Sequence, residues 1–214
     1  EFSGAPHALA VNSCTAAMDL AWRGLGLPPG GEVIVPAQTH VATAHAVELA
    51  GGRCVFADVD ASTGNIDLDH AAALVTERTF GIAVVHYLGH PVDMDRVLEL
   101  ARPRKLAVVE DCALAVGATW RDRHVGLWGD AGCFSFYPVK HLTTGEGGML
   151  ITRRADLAER ASRGRAFGID RNDPESRDLP GHYDAVELGH NYRLNEIAAA
   201  LGVEQMRRLP EFLA

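Results

Sequence analysis

The sequence predicts an α/β fold in which a mostly parallel sheet is covered by helices on both faces, giving three layers. Short runs of β-branched residues alternate with segments of helical periodicity along the 214 residues. This alternation is typical of parallel strands joined by crossover helices. The chain is 47% hydrophobic and its composition does not shift along its length. We therefore expect one domain over residues 1–214 with a sizeable core.

Six strands are predicted from short apolar runs bounded by turn residues. They are Glu32 to Val35, Cys54 to Ala57, Gly81 to His86, Leu106 to Glu110, Gly132 to Phe136 and Met149 to Thr152.

Helices are predicted between these strands from apolar periodicity and capping residues. Ser13 or Thr15 caps a helix that reaches Leu25, and Thr39 opens a second that reaches Leu49. Three more cover residues 67–75, 94–101 and 155–166. A final helix carries an apolar stripe that must pack on something: Leu194, Ile197, Ala198, Leu201 and Leu209. Between the helix at 155–166 and this final helix, residues 171–190 contain two prolines and several charged residues, which predicts a long mobile loop.

Composition excludes several classes of function. The formal net charge is −8 and no basic run is present, so we expect no nucleic-acid partner. The apolar runs are shorter than the ~20 residues of a membrane span and the start lacks a signal-peptide pattern, which predicts a cytoplasmic protein without membrane contact. Four cysteines without metal-ligand spacing predict free thiols, and the histidines show no zinc pattern.

One lysine is a candidate nucleophile. The chain has two lysines, Lys105 and Lys140, and its other basic residues apart from histidine are arginines. Lys105 lies in a charged loop, whereas Lys140 has no charged neighbour within five residues and sits between an apolar run and a glycine-rich turn. Burial would favour the neutral amine that attacks an aldehyde. The alternative is that Lys140 only reaches into solvent.

Three further features gather at the expected ligand edge of the sheet, the carboxyl ends of the strands. Asp111 ends an apolar strand, where a buried carboxylate needs a cation such as a protonated pyridine nitrogen. The alternative is that the Asp111 side chain caps the following turn. Ser135 and the helix start after Val11 offer a hydroxyl and free amides to a phosphate. With Lys140, these groups would hold pyridoxal 5'-phosphate at its tail, ring nitrogen and aldehyde.

The chain resembles the DegT/StrS-type nucleotide-sugar aminotransferases, which have the aspartate aminotransferase fold. The resemblance runs from about Ala8 to the end of the chain. The segments that carry it are Asn12 to Ala17, Gly31 to Pro36, Thr39 to Thr43, Phe56 to Asp60, Glu110 to Ala113, Gly132 to Lys140, Thr143 to Gly148 and Gly189 to Leu194. It implies the cofactor-binding large domain of a pyridoxal phosphate transferase, without the family's smaller C-terminal domain.

The resemblance also implies roles for individual residues. Lys140 would form the Schiff base and move the substrate proton, and Asp111 would keep the pyridine nitrogen protonated. Backbone groups of Cys14 and Thr15, with the Ser135 hydroxyl, would bind the phosphate.

Two further roles concern the cofactor face and the partner subunit. His40 would stack on the face of the cofactor. Asn191 would reach the partner's phosphate in a homodimer with a shared active site. Two positions depart from the family pattern, Leu114 and His141.

The activity implied is transfer of an amino group from glutamate or glutamine to a keto sugar, nucleotide-linked. Two alternatives stay open at this point. One is an aminotransferase or synthase acting on a cyclic keto polyol or aminohydroxybenzoate precursor. The other is a noncatalytic pyridoxal phosphate-binding sensor or scaffold. A nicotinamide dehydrogenase is disfavoured because no GxGxxG follows the first strand.

Overall fold

The computed structural model describes residues 1–170 and 183–213. Its strands are β1 (His7–Val11), β2 (Glu32–Pro36), β3 (Arg53–Ala57), β4 (Thr79–Val85), β5 (Ala107–Asp111), β6 (Thr119–Trp120), β7 (Arg123–His124), β8 (Ala131–Ser135) and β9 (Gly148–Thr152). Its helices are α1 (Cys14–Leu25), α2 (Val41–Leu49), α3 (Leu68–Ala73), α4 (Met94–Ala101), α5 (Ala155–Arg165) and α6 (Glu196–Phe212).

The main sheet has seven strands in the order β1-β9-β8-β5-β4-β2-β3. The neighbours from β8 to β3 pair in parallel, and β9 runs antiparallel to both β8 and β1. This confirms the predicted mostly parallel sheet and all six predicted strands. The edge strand β1 was missed because a five-residue segment with two alanines carries little β signal, and its pairing with β9 joins residues far apart in sequence.

Helices cover both faces of this sheet, as predicted. The core on one face joins α1, α2 and α5 to the sheet, whereas the core on the other joins α3 and α4 to it. Strand β2 shows the division residue by residue, since Val33 and Val35 belong to the first core and Ile34 to the second. The carboxyl ends of β4, β5 and β8 therefore lie at one edge, between the two helical layers.

Helix starts follow the capping rules, with one correction. The Ser13 hydroxyl accepts a hydrogen bond from the Ala16 amide at 3.1 Å and so caps α1, as predicted. The predicted cap of α2, Thr39, is wrong. His40 is the cap, because its Nδ1 accepts from the Ala42 amide at 3.2 Å.

The apolar stripe of the last helix is only partly covered. Ala198 and Leu209 are buried, but Ile197 is 86% and Leu201 45% exposed, so the described part of the chain covers only part of the stripe. On the turn before β9, α6 makes a contact in which Gln205 Oε1 accepts from the Thr143 amide at 3.4 Å.

Most of the predicted mobile loop, residues 171–182, lies outside the described residues. After this segment, Ala185 forms an isolated antiparallel β-bridge with Ile169. None of the helices in the described part of the chain combines the length and apolarity that a membrane span requires.

Candidate active site

Asp111, Ser135 and the start of α1 lie side by side at one edge of the sheet. Strands β5 and β8 are neighbours, and Asp111 lies opposite Cys133. Ser135 follows Cys133 by two residues on β8. Ser135 in turn lies opposite Gly148 of β9. A Cβ on Gly148 would lie 2.5 Å from the carbonyl carbon of Ser13 and 2.6 Å from the amide nitrogen of Cys14. The missing side chain at Gly148 therefore lets the N-terminus of α1 reach the end of β8.

The Asp111 carboxylate is buried and held by three donors. Its Oδ2 accepts from the Thr43 hydroxyl at 2.7 Å, and its Oδ1 accepts from the Ala113 amide at 3.0 Å. The Cys14 thiol lies 3.9 Å from Oδ1. The bond to Ala113 is the turn-capping role considered as the alternative, and it occupies one oxygen. The other oxygen faces α2.

Cys14 links the carboxylate to the lysine electrostatically. Burial, followed by the charge of Asp111, raises the pKa of the Cys14 thiol well above its ordinary value, and the positive charge of Lys140 acts in the opposite direction. The thiol is therefore a neutral donor toward Asp111.

Lys140 is half-buried in the turn that follows β8. Its amide donates to the Tyr137 carbonyl at 2.9 Å, and the Thr144 amide donates to the Phe136 carbonyl at 2.9 Å. These bonds hold the turn against the strand end. Lys105, by contrast, is exposed after the short helix Arg102–Arg104, so the two lysines have the different environments that the sequence predicts.

The donors suited to a phosphate are a helix N-terminus and one hydroxyl. Cys14 and Thr15 are the first residues of α1, so their amides precede the first intrahelical hydrogen bonds. Ser135 is 7% exposed, and its oxygen accepts from the Tyr137 amide at 3.4 Å, which leaves its proton free to donate. Together with buried Asp111 and half-buried Lys140, this donor set fits the phosphate, ring nitrogen and aldehyde of pyridoxal phosphate.

His40 and Asn191 are placed less directly. The exposed His40 ring caps α2 through Nδ1. The exposed Asn191 pairs with Ala166, and its carbonyl accepts from Asn12 Nδ2 at 3.4 Å, which brings it beside the start of α1. Of the two departures from the family pattern, Leu114 is half-buried and His141 exposed.

Sequence reasoning missed Thr43, which is fully buried against Asp111. Its hydroxyl also lies 2.8 Å from that of Thr39. No local signal marks this role, because Thr43 contacts a residue 68 positions away in the sequence.

A second buried network lies behind Asp111. Glu110 accepts from the amides of Gly126, Trp128 and Gly129 at 2.7–2.8 Å and lies 3.0 Å from His86 Nε2. His86 Nδ1 accepts from the Val92 amide at 3.1 Å, so the proton on Nε2 points to Glu110. His86 is therefore structural. Glu110, His86 and Cys112 have metal-ligand spacing, but these hydrogen bonds already use the lone pairs that a metal would need.

The four thiols agree with the cysteine prediction. All four are free, with Cys14, Cys112 and Cys133 buried. Burial, with the nearby Glu48, raises the pKa of the Cys54 thiol to about 12.

Comparison with known proteins gives a consistent result. The model of the DegT/DnrJ/EryC1/StrS aminotransferase family matches residues 1–214. The chain is 42% identical over its whole length to a GDP-perosamine synthase of Caulobacter vibrioides, of which it covers 56%.

Solved structures agree. An aminotransferase from Psychrobacter cryohalolentis superposes with a TM-score of 0.93 at 38% identity, over 98% of this chain and 54% of that one. The Helicobacter pylori PseC, an aminotransferase involved in the biosynthesis of pseudoaminic acid, gives 0.91 at 33% identity, over 98% and 55%. The chain thus spans about half the length of the relatives it matches.

Proposed function

Since the chain belongs to the DegT/DnrJ/EryC1/StrS aminotransferase family, we propose that it is the cofactor-binding part of an aminotransferase that acts on a nucleotide-linked keto sugar. The amino donor in this proposal is glutamate or glutamine. Pyridoxal phosphate is the cofactor of the family. The observation that carries the proposal is that buried Asp111 ends β5, while half-buried Lys140 lies in the turn that follows the neighbouring strand β8.

When bound, pyridoxal phosphate supplies an electron sink for negative charge that develops at the substrate carbon. Asp111 supports that chemistry because its ionised carboxylate, shielded from water, stabilises a proton on the ring nitrogen. Lys140 is the base positioned to take a proton from the substrate carbon and return it elsewhere.

The phosphate end relies on charge and fixed amides. The amides of Cys14 and Thr15 point along the α1 axis toward the expected anion, where the helix dipole also favours negative charge. Ser135 adds a hydroxyl from the adjacent strand. The His40 side chain stands at the start of α2, where we propose that it covers the cofactor face.

The sugar substrate is supported by the names of the relatives. One is a GDP-perosamine synthase and another is involved in pseudoaminic acid biosynthesis. We further propose a homodimer in which Asn191 serves the partner's site. Its exposed position beside Asn12 and the α1 start suits a contact across a subunit boundary.

Reduction of the full-length protein with borohydride in the presence of cofactor tests the lysine assignment. We expect a cofactor-modified peptide containing Lys140 in the wild type and in Lys105→Ala, and none in Lys140→Ala. An adduct on Lys105, or none in the wild type, would remove the proposal. Addition of glutamate should then change the cofactor absorbance and release 2-oxoglutarate. An unchanged spectrum would indicate a cofactor-binding protein without turnover.

A further inference from the structure

The hydrogen bonds around Asp111 divide unequally between its two oxygens. Oδ1 contacts the Ala113 amide and, at 3.9 Å, the Cys14 thiol. Among the described residues, Oδ2 receives one hydrogen bond, the 2.7 Å bond from Thr43. A carboxylate oxygen has two lone pairs, so Oδ2 retains one for a further donor. The Thr43 bond thus fixes the direction in which that second lone pair points.

The direction of the proton on Thr43 follows from its neighbours. An ionised carboxylate can only accept, so the single hydroxyl proton of Thr43 goes to Asp111. The 2.8 Å contact with Thr39 is then donated by Thr39. Both hydroxyls belong to β-branched side chains, whose rotamers are restricted. Thr43 is fully buried, and therefore water does not replace its hydroxyl.

We infer that Thr43 is a positioning residue for the reaction: its hydroxyl aims the Asp111 carboxylate at the ring nitrogen of the bound cofactor. This inference rests on the proposed function. A hydrogen bond donated to a charged group in a dry site stabilises both the charge and its orientation. The Cys14 thiol does this less well, since sulfur is a weak donor at 3.9 Å. Thr43 acts through Asp111 and needs no contact with substrate.

The test replaces the hydroxyl by a methyl group of the same shape. In the full-length protein, Thr43→Val should weaken pyridoxal phosphate binding about 10-fold, the loss of one hydrogen bond to a charged group. It should lower kcat with little change in KM, because the substrate is not contacted. The pH at which the ring nitrogen of the bound cofactor titrates should shift downward, because its proton loses support. Thr43→Ser, which keeps the hydroxyl, should restore all three quantities.

An exposed threonine elsewhere in the chain provides a control for the loss of a hydroxyl–carboxylate bond. The Thr76 hydroxyl donates to the Glu32 carboxylate at the same distance, 2.7 Å, on a different strand end. Thr76→Val removes the same kind of bond and should leave cofactor affinity and absorbance unchanged.

The outcomes separate the two hypotheses. A wild-type protein that binds no cofactor overturns the proposed function and this inference with it. A wild type that binds, with Thr43→Val behaving like Thr76→Val, overturns the inference alone. Equal defects in Thr43→Ser and Thr43→Val would assign the effect to packing and also overturn it. If circular dichroism shows that Thr43→Val does not fold, Thr43→Ala replaces it under the same criteria.

Discussion

The adjacent carboxylates of Glu110 and Asp111 have different roles, one in the fold and one in the candidate site. Glu110 is fully buried and surrounded by three backbone amides and the His86 ring, so its bonding capacity is spent within the fold. Asp111 retains acceptor capacity on Oδ2 for a ligand. Neighbouring residues of a strand face opposite sides of a sheet, which keeps the two negative charges in separate environments.

Because the Glu110 carboxylate accepts hydrogen bonds on both oxygens, we predict that its replacement destabilises the fold. Glu110→Gln replaces one acceptor oxygen by an NH₂ group that must face a backbone N–H, so a buried donor is left unpaired. We expect the free energy of unfolding to fall by about 3 kcal/mol. Urea denaturation of the full-length protein measures this change.

A control for that prediction is Glu159→Gln. Glu159 pairs with Arg163 on α5 and its side chain is 56% exposed. The same substitution there should change the stability by less than about 0.5 kcal/mol. Equal losses in the two variants would show that the buried network does not stabilise the fold.

For individual residues, the sequence predicted which side chains are candidates for catalysis better than it predicted which side chains contact each other. Lys140 and Asp111 stood out because a lysine in an uncharged run and a carboxylate ending an apolar strand contradict simple burial rules. The partnership of Thr43 with Asp111 joins residues 68 positions apart, which local patterns do not reveal.

Among the elements, the strand β9 determines how the site is assembled. It begins at Gly148, whose Cα is directly against the backbone of Ser13 and Cys14. β9 pairs with β8 on one side and with β1 on the other, and β1 leads into α1 within three residues. The proposed phosphate donors thus come from two segments that are brought together by one strand between them.

That contact makes Gly148 intolerant of a side chain. In Gly148→Ala the new Cβ would overlap backbone atoms at 2.5–2.6 Å, which cannot be relieved by a rotamer change. We expect displacement of the α1 start, a stability loss of about 2 kcal/mol or more, and weaker cofactor binding. Calorimetry and cofactor titration measure the two effects.

Gly164 of α5 is the matched position for that test. A Cβ there would lie 3.0 Å from the end of the Leu20 side chain, which can shift. Gly164→Ala also gains helix propensity, so its stability should stay within about 1 kcal/mol of the wild type. A Gly148→Ala variant as stable as this control, with unchanged cofactor affinity, would contradict the role given to the close approach.

Most elements could be predicted because their signals are local. Apolar runs and capping residues gave six strands and the helices to within a few residues. The failures were nonlocal or subtle: β1 depends on pairing with distant β9, and a histidine ring rather than Thr39 caps α2. The covered extent of the α6 stripe depends on packing, which periodicity alone does not specify.

For the whole molecule, the shared active site of the proposed homodimer gives a direct test. If Lys140 of one subunit works with Asn191 of the other, a mixed dimer of Lys140→Ala and Asn191→Ala subunits has one site carrying both substitutions and one intact site. Random reassociation makes half of the dimers mixed. We therefore expect about a quarter of the wild-type activity from two inactive variants. Activity after denaturation and refolding of the mixture measures this recovery.

A mixture that stays as inactive as its parents would place Asn191 in its own subunit's site. Wild-type protein carried through the same refolding controls for losses in the procedure. Mixing either variant with itself should give no recovery.

The alternation within β5 has a consequence for how this sequence can change. Deleting or inserting one residue before Glu110 would rotate the strand by half a repeat and exchange the two acidic side chains between the faces. An insertion would turn the longer one toward the proposed cofactor site, and a deletion would bring the shorter one to three amides that it cannot span. Length changes in this lineage should consequently accumulate in the connecting loops, while the spacing from Ala107 to Asp111 stays fixed.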